Sequence, residues 1–394
     1  MSRILPAAGA ALVAALVVGL PGALARPAAE PGITPTGILL GGTASLTGPL
    51  AASAAVVRGT DAYLRWINAR GGVHGRRIVY RYLDDASDAT QATQAARQLV
   101  EEDGVFALVN STGTEQGLAA RGYLNGLGVP QLFVASGASV FGRDFRRYPW
   151  TIGFGPSFDA EGRIYGAYLA RTRPRARVAV LVQDDADGRE LLAGLGRGLG
   201  RSRAKVVATQ RYDPAAPDLP AQVAGLKAAG ADVLAVFAPA RVAGQVFAAT
   251  ARPAWRPLTL VGSSATAAPG VPEGAVSLAH LKDPGDPRWA EDAGARLYRS
   301  ILSRYRKGAN ARDLLHAHGM AVAYTVVQVL RAAGPKPTRA GVLAAARRLG
   351  DASNPFLLPG IAVRTGRSDP FPLEQGVLQR RSGRSWRLFG GLWD

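Results

Sequence analysis

The fold is decided by residues 105–139, which read VFALVNSTGTEQGLAARGYLNGLGVPQLFVASGAS. The apolar runs 105–109 and 131–134 have the length of buried strands, and a helical pattern through Leu127 separates them. A helix between two strands permits a right-handed crossover, so the two strands are expected to be parallel neighbours. Each run ends in a loop of small, hydroxyl-bearing residues. Both loops should therefore lie at the carboxyl edge of one sheet, where open α/β sheets bind ligands.

The two loops have the chemistry of an anion site. Hydroxyl groups beside loop amides and helix N-termini suit a carboxylate or another small oxyanion. Two plainer interpretations stay open: Thr114 caps the helix that begins near Glu115, and Ser139 only forms a turn. Because hydroxyl-rich loops follow both strands, a ligand-binding rim is favoured.

The composition suits two domains and excludes several kinds of site. The chain has 394 residues, of which 47% are hydrophobic, enough for two cores. The absence of cysteine excludes disulfides, thiolate metal sites and cysteine nucleophiles. His316 and His318, two of only four histidines, lie two residues apart in a helical pattern and do not share a face. Neither a histidine metal site nor any cofactor is predicted.

The N-terminus has the pattern of an export signal. Arg3 precedes an apolar run over residues 4–24, and the sequence Ala-Leu-Ala at 23–25 is a small-x-small cleavage pattern. Residues 1–25 are therefore predicted to be a signal peptide. The product is then expected to be soluble and periplasmic, or otherwise extracytoplasmic. A retained membrane anchor is the alternative, since the run approaches spanning length.

The charge balance is strongly basic. Forty-seven basic residues against 29 acidic ones give a net charge of +18, and the arginines are scattered through every segment. A nucleic-acid binder would be expected to cluster its cations with interleaved aromatic residues, and no such cluster is visible. No nucleic-acid partner is predicted, and compositional bias explains most of the charge. A positive field would still favour anionic ligands or anionic surfaces.

Strand and helix patterns alternate along most of the chain. A strand at 38–42, a helix to about Arg70 and a strand at 77–83 precede the helix that Asp88 begins. With the opening stretch this makes a βαβαβαβ series, which predicts a doubly wound parallel sheet. A second α/β series occupies roughly residues 153–276. Its predicted helices are 159–171, 188–199, 219–229 and 240–250, its strands are 178–182, 206–212, 233–237 and 258–262, and two further helices follow at 289–305 and 314–333.

One segment resembles a known family. The sequence WINARGGVHGR at 66–76, followed by Tyr-Leu-Asp-Asp at 82–85, resembles the leucine/isoleucine/valine-binding protein family. These are type I periplasmic solute-binding proteins of ABC importers. The resemblance covers residues 36–394. It implies two doubly wound α/β lobes joined by three crossover linkers, which form a hinge and close over a ligand.

The resemblance also implies domain bounds. The first lobe would comprise residues 36–150 plus 280–353, and the second lobe residues 151–279 plus 354–394. The final linker would leave short strands around Val363, Val377 and Trp386 on the second lobe.

The family's ligand-binding positions can be carried onto this chain. In the family, hydroxyls and amides of two first-lobe loops hold the ligand's carboxylate, and a third loop borders the cleft. The matching residues here are Gly113, Thr114, Gly137, Ala138 and Ser139, with Ser45 in the bordering loop.

The second lobe departs from the family pattern. Where leucine binders place an acid for the ligand's ammonium, this chain has Ser263 and Ser264. Where tyrosines often line the pocket, it has aspartates at 184, 185 and 187 and then Pro239. Asp187, Pro239 and Ser264 are the candidate site residues of this lobe. Either the aspartates supply the missing charge or the ligand has no ammonium, because an unpaired buried ammonium is costly.

Three aromatic residues favour the second option. Trp150, Phe154 and Phe158 occur in a sequence context that resembles a branch of the family binding aromatic carboxylic acids, and they could stack on a planar ligand. The alternative is that they pack the hinge and a helix start. The predicted ligand is a small carboxylate, with an aromatic or organic acid placed ahead of a hydrophobic amino acid.

Enzyme motifs are weak. The sequence GLGRGLG at 194–200 invites a dinucleotide interpretation, but it lies in a helical pattern and has Leu199 where a third glycine belongs. Asp84 and Asp85 are adjacent on a strand and point to opposite faces, which favours a structural role. The chain is predicted to be no enzyme but the monomeric solute-binding component of an ABC importer, with permease subunits as partners. The alternative is an extracellular sensor that presents its ligand to a receptor.

Overall fold

The computed structural model describes residues 30–48, 50–213, 219–251, 255–366 and 369–394. The predicted signal peptide, residues 1–25, lies outside this part of the chain. None of the helices within the described ranges has both the length and the apolar character needed to cross a membrane.

The first sheet is built from the N-terminal α/β series. Its five strands are all parallel and are ordered β2-β1-β3-β4-β5. The pairing of Leu108 with Gln131 confirms that the two strands of the opening stretch are parallel neighbours. The elements of this series are β1 (Gly37–Ala44), α1 (Ala54–Asn68), β2 (Arg77–Asp84), α2 (Ala89–Arg97), β3 (Ala107–Val109), α3 (Thr114–Gly126), β4 (Gln131–Ala135), α4 (Val140–Arg143) and β5 (Thr151–Phe154).

Local signals begin and end these elements where the sequence indicates. Asp88 caps α2, and its carboxylate accepts a hydrogen bond from the Gln91 amide at 2.8 Å, as predicted. A π-helical turn, Gln98–Glu102, extends the same helix.

The second sheet contains the second α/β series. Its strand order is β14-β13-β10-β9-β8-β6-β7; β13 pairs antiparallel with both β10 and β14, and the other pairs are parallel. Its first elements are α5 (Phe158–Thr172), β6 (Arg177–Gln183), α6 (Ala186–Leu199), β7 (Lys205–Tyr212), α7 (Leu219–Ala228), β8 (Val233–Phe237), α8 (Ala240–Thr250), β9 (Leu258–Val261) and β10 (Val276–Ala279). The chain then continues through α9 (Ala293–Tyr305), α10 (Leu314–Ala332), α11 (Arg339–Ala346), β11 (Gly350–Asp351), β12 (Val363–Arg364), β13 (Gly376–Ser382) and β14 (Ser385–Trp393).

Helices cover both faces of the second sheet. Side chains of β6 alternate between two cores: Val180 packs with residues of α5 and α6, and Leu181 packs with residues of α7 and α8. All seven residues of β6 except its two ends are buried, as expected for a strand covered on both sides. The first sheet has the same arrangement, with Leu40 facing α1 and α10 and Leu108 facing α2 and α3. Two doubly wound α/β lobes are therefore confirmed.

The glycine run at 194–200 has a packing role. A Cβ atom at Gly198 would lie 2.0 Å from the Arg163 carbonyl oxygen, and one at Gly166 would lie 2.3 Å from the Leu195 carbonyl oxygen. Small residues thus let α5 and α6 approach closely. Because Gly194 meets Asp159 while Gly198 meets Arg163, the two helices run in the same direction, and α6 ends beside Gly166 of α5.

The crossings between the lobes differ in detail from the prediction. Strand β5 pairs with β4, so the chain leaves the first sheet only after Phe154, beyond the predicted boundary at Trp150. The prediction that the strand around Val363 lies on the second lobe is wrong, because β12 pairs with β11 and Val363 is buried in the first lobe's core. Val377 and Trp386 do lie in the second sheet. A short apolar run looks the same in a linker and in a strand, so periodicity cannot separate them.

Helices α9, α10 and α11 return to the first lobe. Ile301, Val326 and Val342 lie in the same core as Leu40 of β1. Thr60 of α1 donates a hydrogen bond to the Gly319 carbonyl of α10 at 3.1 Å. The predicted patterns at 289–305 and 314–333 are confirmed as α9 and α10, whereas α11 was not anticipated.

Candidate ligand site between the two lobes

The first lobe carries a hydroxyl rim, which we define as Thr114, Ser136 and Ser139 with the backbone of residues 113, 137 and 138. Asn110, with φ of 52°, turns the chain out of β3 toward this rim. Gly113 then adopts φ of 92°, and a Cβ atom there would lie 2.1 Å from Gln116 Oε1, so only glycine fits. Gly137 accepts a hydrogen bond from the Phe158 amide at 2.7 Å. These contacts place both loops at one edge of the sheet, as predicted.

Thr114 is not a helix cap. The cap of α3 is Gly113, and no side chain caps this helix. The Thr114 hydroxyl instead donates to Asp187 Oδ2 at 2.8 Å, and it lies 2.7 Å from Ser136 Oγ. Because its single proton goes to Asp187, the Ser136 hydroxyl donates to Thr114, while the Ala138 amide donates to Ser136 at 3.0 Å. A chain of hydrogen bonds therefore runs through the rim to a carboxylate of the other lobe.

Ser139 also contacts the second lobe. Its amide and hydroxyl donate to the two oxygens of Glu190, at 2.9 and 2.8 Å. Arg143 lies 3.5 Å from the same carboxylate. Ser139 therefore does more than form a turn. Sequence reasoning missed Ser136, Arg143 and Glu190, although Glu190 lies three residues after Asp187 on α6, a spacing that places both on one helix face.

Asp187 and Glu190 form what we call the carboxylate rim, and the neighbouring aspartates have other roles. Asp184 is exposed, with ion-pair distances of 3.5 Å to Arg211 and 4.0 Å to Arg189. Asp185 caps α6 by accepting from the Gly188 amide at 2.8 Å. Only Asp187 of the three reaches the first lobe.

The environment of Asp187 is unusual for a carboxylate. Burial raises its pKa to about 7, against the opposing effect of the hydrogen bond from Thr114. Its second oxygen, Oδ1, is buried and accepts no hydrogen bond from any residue in the described ranges. The carboxylate is therefore only half satisfied, and a further donor or a positive charge would stabilise its ionised form.

The second lobe holds another buried acid next to the expected acidic position. Glu161 of α5 accepts from the amide and the hydroxyl of Ser263, both at 2.6 Å, and from the Tyr165 hydroxyl at 2.9 Å. Burial raises the pKa of this carboxyl. Ser264 is exposed on the turn after β9, and Pro239 begins α8 after β8. These two candidates lie at the same edge of the sheet as Asp187, at the ends of neighbouring strands. Their ligand contacts remain a prediction.

Ser45 and the two adjacent aspartates tie loops of the first lobe together. The Ser45 hydroxyl donates to Asp85 Oδ1 at 2.8 Å, and both residues are buried. Asp84 accepts from the amides of Leu46 and Ala86, each at 2.8 Å. The structural role predicted for the aspartate pair fits these contacts. A ligand contact by Ser45 stays a prediction and would require its bond to Asp85 to break.

Two of the three aromatic residues pack in the core. Phe154 is 1% exposed, and its ring meets those of Phe133 and His318 edge to face. Trp150 packs against the first lobe's core beside Gly128, at the opposite edge of the sheet. Of the two interpretations left open by the sequence, packing is therefore the one that holds for Phe154 and Trp150. Phe158 alone borders the hydroxyl rim, where it contacts Gly137.

The two rims together can hold opposite charges. The hydroxyl rim offers donors to an anion, and the carboxylate rim offers acceptors to a cation. Within the described residues, no group of three or more histidine, aspartate or glutamate side chains is arranged to hold a metal ion. The arrangement therefore places a candidate ligand site between the two lobes.

Comparison with known proteins identifies the family. A family model described as periplasmic binding protein matches residues 37–369. The chain belongs to the periplasmic binding protein family, whose members are non-enzymatic solute binders. A Leu/Ile/Val-binding protein homolog 3 of Brucella melitensis is 28% identical over 199 residues, which cover 50% of this chain and 53% of that protein. The chain thus spans about half the length of the curated relatives that it matches.

Solved structures share the type I fold. A branched-chain amino acid ABC transporter protein from Thermus thermophilus with bound valine has a TM-score of 0.78 at 17% identity, covering 91% of this chain and 96% of that one. A solute binding protein from Rhodopseudomonas palustris in complex with 3,4-dihydroxy benzoic acid has a TM-score of 0.76 at 18% identity, covering 92% and 98%. These likenesses define the fold of this chain, and its ligand must be argued from its own site.

Proposed function

We propose that this chain is the solute-binding component of an ABC importer and that its ligand is a hydrophobic amino acid. The hydrogen bond of 2.8 Å between Thr114 Oγ1 and Asp187 Oδ2 carries the proposal, because it brings a donor of one lobe directly to a carboxylate of the other. A zwitterion inserted between these groups satisfies both. Its carboxylate accepts from Thr114, and its ammonium pairs with Asp187.

Electrostatics favour a ligand with an amine. An acid without an amine would bring its carboxylate against Asp187 and Glu190, and like charges at close range disfavour the ionised forms. The unpartnered Asp187 Oδ1 suits an ammonium donor. This supports the first of the two options left open by the sequence, in which an aspartate replaces the missing acid. It also reverses the preference for an aromatic acid, since two of the three supporting rings lie in the core.

Closure supplies the mechanism. The ligand docks on the hydroxyl rim, and the second lobe swings about the crossovers until the carboxylate rim covers it. The closed shape is what permease subunits recognise. We further propose that the protein works outside the cytoplasm as a monomer with a cleaved N-terminal signal.

The test is a ligand panel on refolded, ligand-stripped protein. Titration calorimetry and thermal unfolding compare leucine and valine with their amine-free acids, with their carboxylate-free amines, and with benzoate and hydroxybenzoates. We expect tight binding of the amino acids alone. A hundredfold excess over Kd adds about 2.7 kcal/mol to the free energy of unfolding, a rise of about 5 °C in Tm. If benzoates bind but leucine and valine do not, the amino-acid proposal is overturned. If no ligand of the panel binds, the candidate site itself is overturned.

A further inference from the structure

Six cations lie together at the edge of the second sheet opposite the ligand site. We call this surface the basic edge and define it as Arg173, Arg175, Arg177, Arg201, Arg203 and Lys205. All six residues are exposed. Four of them lie in the loops from α5 to β6 and from α6 to β7, and the other two, Arg177 and Lys205, are the first residues of β6 and β7.

The tertiary structure joins these two segments. Helices α5 and α6 run in the same direction along their glycine seam, and the loops that follow them lead to the same edge of the second sheet. Strands β6 and β7 are parallel neighbours in which Arg177 pairs with Lys205, and the Lys205 amide donates to the Ala176 carbonyl at 2.9 Å. Neighbouring strands lie about 4.8 Å apart, so the two segments form one continuous surface.

The charge of this surface is not neutralised. None of the six cations forms a salt bridge with a residue in the described ranges. The Arg177 guanidinium donates to the carbonyls of Ala229 and Gly230, at 3.0 and 3.3 Å. One acid is adjacent, Asp232, which accepts from the Arg177 amide at 2.8 Å. The helix dipole accounts for basic residues in the last turn of a helix, but most of these cations lie beyond the helix ends.

The corresponding edge of the first lobe is mixed in charge. Glu101, Glu102 and Asp103 precede β3, and two of these acids pair with Arg97 and Arg81. The exposed Arg77 begins β2 at the same edge, so the two edges differ in the acids that accompany their cations.

We propose that the basic edge docks the protein on an anionic phospholipid bilayer. Arginine donates in a fork that matches phosphate oxygens, and several cations on one surface can approach lipid headgroups together. The Debye length is about 8 Å at physiological ionic strength, so only cations close to the bilayer contribute, and scattered ones do not. Residues 173–177 and 200–205 contain no aromatic side chain on which a base could stack, which disfavours single-stranded nucleic acid.

Docking leaves the ligand site free. The basic edge lies at the amino ends of β6 and β7, whereas the carboxylate rim follows the carboxyl end of β6. Seven residues of strand separate the two, roughly 23 Å at 3.3 Å per residue. A docked molecule therefore keeps its cleft away from the lipid and can exchange ligand while held at the membrane.

Vesicle sedimentation tests this proposal without any ligand. Partition of the wild-type protein is measured on phosphatidylcholine vesicles with and without one third phosphatidylglycerol, at physiological salt. The variant R173E/R175E/R203E is compared with R146E/R304E/K336E, which makes the same change in net charge at separate exposed sites of the first lobe. Each cation near an anionic surface contributes about fivefold to the partition coefficient. The partition coefficient of the first variant on the anionic vesicles should therefore fall about a hundredfold, and that of the second variant less than about fivefold.

Three outcomes would overturn the proposal: no preference for the anionic vesicles, equal losses in the two variants, or tighter binding to single-stranded DNA than to the vesicles. Calorimetry with leucine on both variants separates this surface from the ligand site. We expect unchanged leucine affinity, so a failure of the amino-acid proposal would not affect the vesicle result.

Discussion

In the first lobe, the loops after β3 and β4 end in hydroxyl and amide donors, whereas in the second lobe the helix after β6 begins with carboxylates. The two lobes share an architecture of parallel strands alternating with helices, and both rims lie at the carboxyl edge of their sheet. The repeated architecture therefore decides where a site forms, and the side chains of each lobe decide which charge it accepts.

The two rims also differ in the cost of burying them. A hydroxyl such as Thr114 is satisfied by one or two hydrogen bonds, but a partly buried carboxylate loses favourable hydration. This difference raises the pKa of Asp187 to about 7. The second rim is thus the one that gains most from a bound cation, and four predictions test this asymmetry.

Removing the charge of Asp187 should have the largest effect. Asp187→Asn leaves the shape but removes the partner of the ligand's ammonium, and we expect leucine affinity to fall about a hundredfold. The amine-free acid should bind better than to the wild type, because a like charge is gone. Calorimetry of both ligands measures this. Asp184→Asn is the matched control, since Asp184 is exposed and pairs with Arg189 and Arg211 of its own lobe. Equal effects of the two variants would remove Asp187 from the site.

Removing the hydroxyl of Thr114 should weaken the binding of the ligand's carboxylate. Thr114→Val deletes a donor to the carboxylate, worth about 1.5–3 kcal/mol, so we expect leucine affinity to fall about thirtyfold. The affinity of the amine-free acid should fall in parallel. Thr93→Val is the control, because the Thr93 hydroxyl donates to the Ala89 carbonyl of its own helix, away from the rim. If the loss appears with leucine but not with the amine-free acid, the hydroxyl rim does not bind the carboxylate.

Acid pH should weaken leucine binding through Asp187. Its pKa of about 7 belongs to the structure in which Thr114 of the first lobe contacts it, and the carboxyl of that unliganded form is protonated below this pH, whereas the ammonium pairs with the ionised form. Binding must then release a proton, so affinity should fall about fivefold between pH 7 and pH 6. Calorimetry in two buffers of different ionisation enthalpy detects the released proton. Asp187→Asn should bind independently of pH in this range, and a persistent dependence would point to another group.

The smallest effect concerns Ser264. Ser264→Glu restores an acid at the position where leucine binders have one, and it should raise leucine affinity about threefold, because an exposed charge is screened. Ala267→Glu adds the same charge elsewhere on this exposed segment and should change little. Unchanged leucine binding in Ser264→Glu would count against the assignment of this position.

The amino-acid sequence predicted the local elements well. Strand β8 and helix α8 begin and end at the predicted residues, and the hydroxyl loops follow β3 and β4 as expected. These features depend on neighbours in the chain: apolar runs, capping residues and glycine stops. Prediction failed where segments with the same apolar pattern pack against different lobes. Nothing in the apolar residues near Val363 says which lobe they pack against.

The candidate site was predicted only in part for the same reason. Thr114 and Asp187 were both singled out, but their contact joins residues 73 positions apart, and Glu190 was missed. The basic edge was overlooked entirely, because its arginines look scattered along the chain until α5 and α6 bring them together.

The sequence by itself determined the doubly wound α/β series and the rim of hydroxyls, because these follow from periodicity and from residue types in short segments, and its resemblance to known proteins indicated the family. Only the tertiary structure decided that Asp187 and Glu190 face that rim, that Phe154 is buried, and that six cations share one surface. Such contacts depend on how distant segments pack, and a pairing across the chain leaves no local pattern in either partner.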